Sequence, residues 1–288
     1  MDMVQLPEIK PIGEYVFPKL GRASLSNNIP LFYIPFGATD IVRVDVVVEA
    51  GVFHQNHFFV ANMTQKLLRC GTLHHTSREI SEQLDYYGGS LVAHVAKKFT
   101  IFSLLSLKKH LSVLLDLLKE IITEPSFPEN EFELMRLKDK QAFLTNEKVV
   151  STMASRGLNR CIYGENGTYG KTPKASDYDN LQLSWIKEFY TTYYKRNRCR
   201  IFLSGAVSDD VRCLVDEVFA TMGLPENEVP VANYVCQPMK ERCLFIPKEN
   251  VVQSAVYVGS RLFDRTHPEI YKVCVLNTIL GGYFGSRL

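Results

Sequence analysis

Between Asn62 and Arg69 the chain sets four polar side chains on helical spacing. Asn62, Gln65, Lys66 and Arg69 fall at i, i+3, i+4 and i+7 and share one stripe. An amide oxygen is a poor metal ligand, and a protonated lysine is no ligand at all. Gln65 cannot take a proton from water near neutral pH. By spacing alone the stripe reads as a solvated helix face. Metal-ligating residue types do occur close by: His54 and His57 at i and i+3, then Cys70, His74 and His75. Clusters of His and Cys can bind metals. The adjacent pair His74-His75 lies in a polar loop and reads as exposed, and His54 precedes the helix, so no metal site is assigned to them. Ser, His and Asp are present without a G-x-S-x-G turn, and there is neither a phosphate loop nor G-x-G-x-x-G.

The elements that must position this stripe are readable. Val44 to Val48 (VDVVV) is nearly all β-branched and reads as a strand covered on both faces. Gly51 breaks it, and helical spacing runs from about His57 to Arg69. Phe59, Val60, Met63, Leu67 and Leu68 form the apolar side, and Gly71 stops the helix. Upstream, Ala23 to Pro35 reads as two strands around an Asn27-Asn28 turn, preceded by a Pro-punctuated arm over the first 22 residues. Downstream come a helix over Thr76–Tyr87 capped by Thr76 or Ser77, a hairpin turning at Lys97-Lys98, and an apolar helix over Leu111–Ile122. A single long helix is predicted from about Glu129 to Arg160. The aromatic-rich tract ending in Phe189-Tyr190, with Tyr193 and Tyr194, reads as core. A strand over Arg200–Leu203 and a helix over Ser208–Met222 follow. Residues 40–206 are expected to share one antiparallel sheet. Strands are also predicted over Arg242–Ile246 and Val252–Gly259, then a helix over Pro268–Leu280.

The composition excludes several classes. With 288 residues, 46% of them hydrophobic, the chain can build an ordinary core. Its 33 basic and 31 acidic residues are well mixed, so no nucleic-acid surface is expected. No stretch is apolar enough for a membrane span and the start has no signal-peptide pattern, so no membrane partner is expected. Seven scattered cysteines without C-x-x-C fit reduced thiols, and a cytoplasmic location is expected.

Strand, Gly, loop, helix and Gly71-Thr72 together resemble the pitrilysin/insulinase family of zinc peptidases, which includes mitochondrial processing peptidase. That family carries an inverted H-x-x-E-H motif on this helix. Two imidazoles one turn apart reach one zinc, and the Glu activates its water. Counting back from Gly71-Thr72 puts the motif on Asn62-Met63-Thr64-Gln65-Lys66. The resemblance also implies a third ligand on the long helix, and the register places it at Ala142, between Gln141 and Phe143. Nearby Glu133 and Asp139 fall outside that register and read as solvated helix charges. Gly167-Thr168-Tyr169-Gly170, the Phe189-Tyr190 pair and the strand before Gly205 are similar to further family blocks, as is the Gly281-Gly282 to Leu288 turn.

The resemblance implies an α+β fold, a mainly antiparallel sheet with helices packed on one side, duplicated with the second copy incomplete. The expected division is a first peptidase-like domain over 1–223, a linker over 224–241, and the start of a truncated second domain over 242–288. No catalytic residue, metal ligand or cofactor is assigned, because the zinc ligands of the family are absent at Asn62, Gln65, Lys66 and Ala142. The implied function is that of a non-catalytic partner subunit. It would join an active peptidase of the same family and help form the chamber for a peptide substrate. Two alternatives stand beside it: an active zinc endopeptidase with displaced ligands such as His54, His57 or His74, and a structural subunit of a larger complex.

Overall fold

The computed structural model describes residues 16–37, 39–194, 199–222, 234–241 and 243–287. The fold is α+β. The described residues of Met1–Lys140 and Lys174–Ala232 form one compact unit, and those of Gln141–Pro173 and Asn233–Leu288 a second. Most of the expected N-terminal arm, residues 224–233 of the expected linker, and Arg242 lie outside the described residues.

The first unit is built on a six-stranded sheet. Its strands are β1 (Gly21–Ser24), β2 (Pro30–Pro35), β3 (Ile41–Val48), β4 (Ser90–Val95), β5 (Thr100–Leu107) and β6 (Cys199–Gly205), in the order β1-β2-β6-β3-β5-β4. Asn28 closes the first hairpin at φ 66°, a conformation that Asn tolerates. Every neighbouring pair is antiparallel except β2 and β6, which run parallel, so the sheet is mainly rather than wholly antiparallel. Val44 sits opposite Leu104 and Leu203, and Val46 opposite Phe102 and Ile201. These rows are buried. The expectation that β3 is covered on both faces is corrected here. Val42, Val44, Val46 and Val48 are buried, whereas Arg43 and Asp45 point the other way and form an ion pair at 2.9 Å. Strict alternation is the mark of a sheet covered on one side.

The helices are α1 (Val60–Leu68), α2 (Ser77–Tyr86), α3 (Leu111–Thr123), α4 (Glu129–Glu147), α5 (Val150–Tyr163), α6 (Ser176–Asp179), α7 (Leu183–Phe189), α8 (Asp209–Phe219) and α9 (Ile270–Gly281). Thr76 caps α2 in a full capping box with Glu79. α1, α2 and α3 pack on β4 and β5, with α7 against α1 and α8 against α3. Among the described residues no helix is long and apolar enough to cross a membrane.

Two sequence expectations fail in the later part of the chain. The predicted long helix is two, α4 and α5. The amides of Lys148 and Val149 bond three residues back, to Thr145 and Asn146, and Val149 then turns extended. Residues 243–246 and 252–259 run without strand pairing. A β-rich sequence becomes a strand only when a neighbour accepts its amides, and none does so among the described residues.

Candidate functional site

The helix that carries the polar stripe is fixed at both ends. Phe59 enters it in the left-handed region, φ 69°, and its ring stacks on Tyr178 at 3.8 Å. Gln55 Oε1 accepts from the Ala61 amide at 3.1 Å and so satisfies one donor of the open first turn. Gly71 ends the helix at φ 155°, where an added Cβ would meet Ser126 Oγ at 2.8 Å. Val60, Met63, Leu67 and Leu68 are buried, as the apolar spacing predicts.

The stripe is not a solvated face, and that expectation is corrected. Gln65 is only 8% exposed. Asn62, Lys66 and Arg69 are half-buried. The Lys66 ammonium reaches both carboxylate oxygens of Asp139 on α4, at 2.7 and 2.6 Å. The Asp139 side chain is 18% exposed, so its reading as a solvated helix charge is corrected too. Glu133 does behave as a surface charge and pairs with Arg136 one turn on. Ala142 and Gln141 are exposed, and Phe143 is buried beneath the Arg156 guanidinium at 4.8 Å. Residue-level reading takes Asp139 for a surface charge because an ion pair between α1 and α4 leaves no mark in local spacing.

Asn62, Gln65 and Arg69 make no side-chain hydrogen bond among the described residues. The Arg69 Nε is buried without an acceptor, and burial lowers the pKa of this guanidinium below its ordinary value. Next to it, burial pushes the Cys70 thiol up to about 11, so it is neutral and a poor ligand.

The histidines occupy separate places. His54 is buried between Phe53 and Tyr193, with neither ring nitrogen bonded. Its desolvation lowers its pKa and keeps it neutral at pH 7. His57 stacks on Trp185 at 3.7 Å. His74 pairs with Glu124 at 3.1 Å and His75 with Glu120 at 2.9 Å. Among the described residues no three His, Cys, Asp or Glu side chains gather as a metal-binding group. A zinc ion does not fit the stripe on chemical grounds: it offers two amides and an ammonium already held by a carboxylate. The aromatic tract is core, as read from its residues. Tyr194 is buried, and Tyr190 donates to the Ile122 and Thr123 carbonyls at 2.9 and 2.8 Å. Tyr190–Tyr194 winds as a π-helical turn that the sequence pattern does not reveal.

Glu120 ties the loop after α1 to α3. Its carboxylate accepts from the Thr72 hydroxyl and meets the His75 ring. Burial pushes its pKa up, but the Thr72 and His75 contacts outweigh this and hold it below the usual range. A depressed carboxyl adds stability above its unfolded pKa and loses it as pH falls through the folded one. Glu120→Gln is therefore expected to lower stability by about 1–3 kcal/mol at neutral pH. The gap to wild type should begin to narrow as the pH falls below the ordinary Glu value, about 4.3, and close only below the lowered folded value. Urea midpoints at pH 7 and at acid pH check both; a constant gap would contradict the ionised role.

Comparison with known proteins places this geometry. Residues 37–164 match the family model described as insulinase (peptidase family M16), and residues 180–288 match the one described as the peptidase M16 inactive domain. The chain is 23% identical over 250 residues to the uncharacterized zinc protease YmxG of Bacillus subtilis, covering 86% of this chain and 60% of that protein. It is 22% identical over 240 residues to an uncharacterized zinc protease of Mycobacterium leprae, covering 79% of this chain and 52% of that one. The chain thus spans about half to three-fifths of the length of these relatives. Among solved structures, a peptidase M16 inactive domain from Pseudomonas fluorescens aligns with TM-score 0.75 and 20% identity, over 93% of this chain and 66% of that one. A protease from Helicobacter pylori aligns with TM-score 0.64 and 21% identity, over 76% of this chain and 54% of that one. A mutant of the ferredoxin protease FusC, in complex with Arabidopsis ferredoxin, aligns with TM-score 0.65 and 18% identity, over 78% of this chain and 26% of that one.

Proposed function

This chain belongs to the insulinase (M16) family of peptidases, and from that premise we propose that it is a non-catalytic member, a partner subunit that helps an active peptidase of the family enclose an extended peptide. The observation that carries the reading is the Lys66–Asp139 pair. Where the resemblance places the second metal-binding His, this chain has an ammonium bound to both oxygens of a carboxylate. Asn62 and Gln65 stand where the first His and the general base would be. Amides cannot replace those groups chemically. They can hold and orient a chain, and positioning alone is able to lower a barrier by several kcal/mol. The free, scattered cysteines fit a reducing compartment, and we place the protein in the cytoplasm.

The test is isolation of the full-length protein from its own cells, followed by peptidase assays of whatever co-purifies. An active family member carrying an intact H-x-x-E-H should accompany it, through an interface on the order of 1,200–2,000 Å² or more. That partner's activity should fall at least roughly tenfold without this chain. Lys66→Glu, which reverses the charge beside Asp139, should weaken the stimulation. A full-length protein that stays monomeric, and a partner equally active alone, would overturn the reading and leave a structural role.

A further inference from the structure

We propose that His54 is an acid-operated latch on the start of α1: while its ring is neutral it holds the turn that enters the helix, and on protonation it lets that turn go. The short turn Val52–His54 joins three parts of the sheet-bearing unit. The amides of Gly51, Val52 and Phe53 donate to the carbonyls of Lys98, Ala96 and Lys97 in the β4–β5 turn, at 3.1, 3.1 and 2.7 Å. An added Cβ on Gly51 would meet the Lys97 carbonyl oxygen at 2.5 Å, so the two turns lie in close contact. The His54 ring sits 5.0 Å from that of Tyr193, in the π-helical turn, and 5.7 Å from that of Phe53. Gln55, the next residue, supplies the oxygen that accepts from the Ala61 amide in the first turn of α1. What holds His54 in place therefore also holds the entry to the helix that carries the polar stripe.

The ring is held in a way that suits only its neutral form. His54 is 8% exposed, and both ring nitrogens are shut off from solvent without a hydrogen-bond partner. A neutral imidazole carries one N–H donor; an imidazolium carries two and a full charge. Burying that charge unpaired costs far more than burying the neutral ring. The groups around it do not make up the difference. Glu49, just past β3, and the Lys98 carbonyl favour the cation, the Lys98 ammonium opposes it, and the loss of water outweighs them all and lowers the pKa. Phe53 and Tyr193 bring only rings, and burial raises the Tyr193 phenol, which stays neutral. An opened turn takes up a proton at the ordinary His value, about 6.5, and the closed turn only at lower pH. The closed form therefore loses ground from about pH 6.5 downward, until the closed ring can itself be protonated. The other histidines of this stretch do not share the environment: His57 is exposed, and His74 and His75 face Glu124 and Glu120.

Hydrogen exchange of the full-length protein, resolved by residue and corrected for intrinsic rates, reads the latch. From about pH 7.5 to about pH 5.5 the protection of the Gly51, Val52 and Phe53 amides should fall at least about threefold, toward a ceiling of about tenfold set by one pH unit below the ordinary His value. Over the same range the Val44 and Val46 amides of β3 should stay within about twofold, because only a local opening is involved. His54→Phe keeps a buried ring that cannot titrate, and it should make the protection of the three amides independent of pH. Where that variant fails to fold, wild type decides alone: the His54 ring protons, followed by NMR, should titrate below the ordinary value. A ring that titrates at or above that value, protection that is equal at both pH values, or a loss that persists in His54→Phe overturns the latch. So does a loss shared equally by Val44 and Val46, which is global unfolding. None of these results bears on the partner-subunit reading, which stands or falls on co-purification and stimulation.

Discussion

Leu67→Ala is expected to destabilise the unit that carries the sheet by about 2–5 kcal/mol. Leu67 is fully buried, and it belongs to the side of α1 that also buries Val60, Met63 and Leu68. Truncation removes the transfer free energy of the lost methyl and methylene groups and leaves a cavity. Collapse into that cavity is restricted, because α1 is fixed at both ends. Phe59 stacks on Tyr178 at one end, and Gly71 and Thr72 pair with Thr76 and Pro125 at the other. The cost should therefore fall in the upper part of the range. Trp185 is the only tryptophan, and it stacks on His57 just before α1, so its fluorescence reports this unit. Urea unfolding followed at Trp185 should show a lower midpoint with an unchanged slope. A loss under about 1 kcal/mol would mean that α1 is not packed as described.

How much of this was legible in the sequence depends on how local the cause is. The presence and stop of α1 follow from apolar spacing and from Gly71, both short-range signals, whereas its start lies at Val60 rather than near His57, because Phe59 takes the left-handed region. The capping box of α2 is read from Thr76 and Glu79 in the same way. Non-local pairing was harder. Val44 to Val48 announces a strand, but only the neighbours β5 and β6 and the helices show which face is covered. The parallel pairing of β2 with β6 joins residues about 170 apart in the chain, and local pattern carries no trace of it. The extended segments 243–246 and 252–259 show the limit from the other side: β-branched residues express a preference, and without a paired neighbour no strand forms. The break between α4 and α5 hangs on the backbone of two residues, Lys148 and Val149, in an otherwise helical run.

The candidate site divides along the same line. The four residues of the stripe and their common face follow from the 3.6-residue period. Their burial does not, since it depends on what faces them, and the same spacing fits a solvated surface equally well. Register arithmetic from the resemblance pointed to Ala142 on the long helix. The side chain that actually meets α1 there is Asp139, one helical turn earlier. Residues three apart lie on adjoining parts of one helix face. Which carboxylate of the helix reaches α1 is shown only by the fold.

That difference yields the second large effect. The pair Asn62→His and Lys66→His is expected to create a divalent-metal site in a protein whose wild type gains no stability from zinc. In the wild type, the Lys66 ammonium lies against the Asp139 carboxylate, and like charge disfavours a dication there. Changing both residues sets two imidazoles at i and i+4 on one face, with Asp139 as the nearby oxygen ligand. Three protein ligands and a water complete a tetrahedral zinc. Without metal, the double variant should be less stable than wild type by about 1 kcal/mol, a modest figure because the Lys66 side chain is 42% exposed and the lost pair is partly screened. With free zinc at about 1,000 times its dissociation constant, it should gain about 4 kcal/mol. Melting curves with and without zinc, and with a chelator, measure both terms. Adding Asp139→Asn to the double variant should weaken zinc binding at least roughly tenfold, since an amide oxygen is a poor ligand. Adding Ala142→Glu instead should change it little, because Asp139 already holds the third place. If the double variant binds no zinc, or binds it equally well with Asp139→Asn, then Asp139 does not face the motif helix as a ligand must, and the Lys66–Asp139 pair loses its meaning as the occupant of the metal's place.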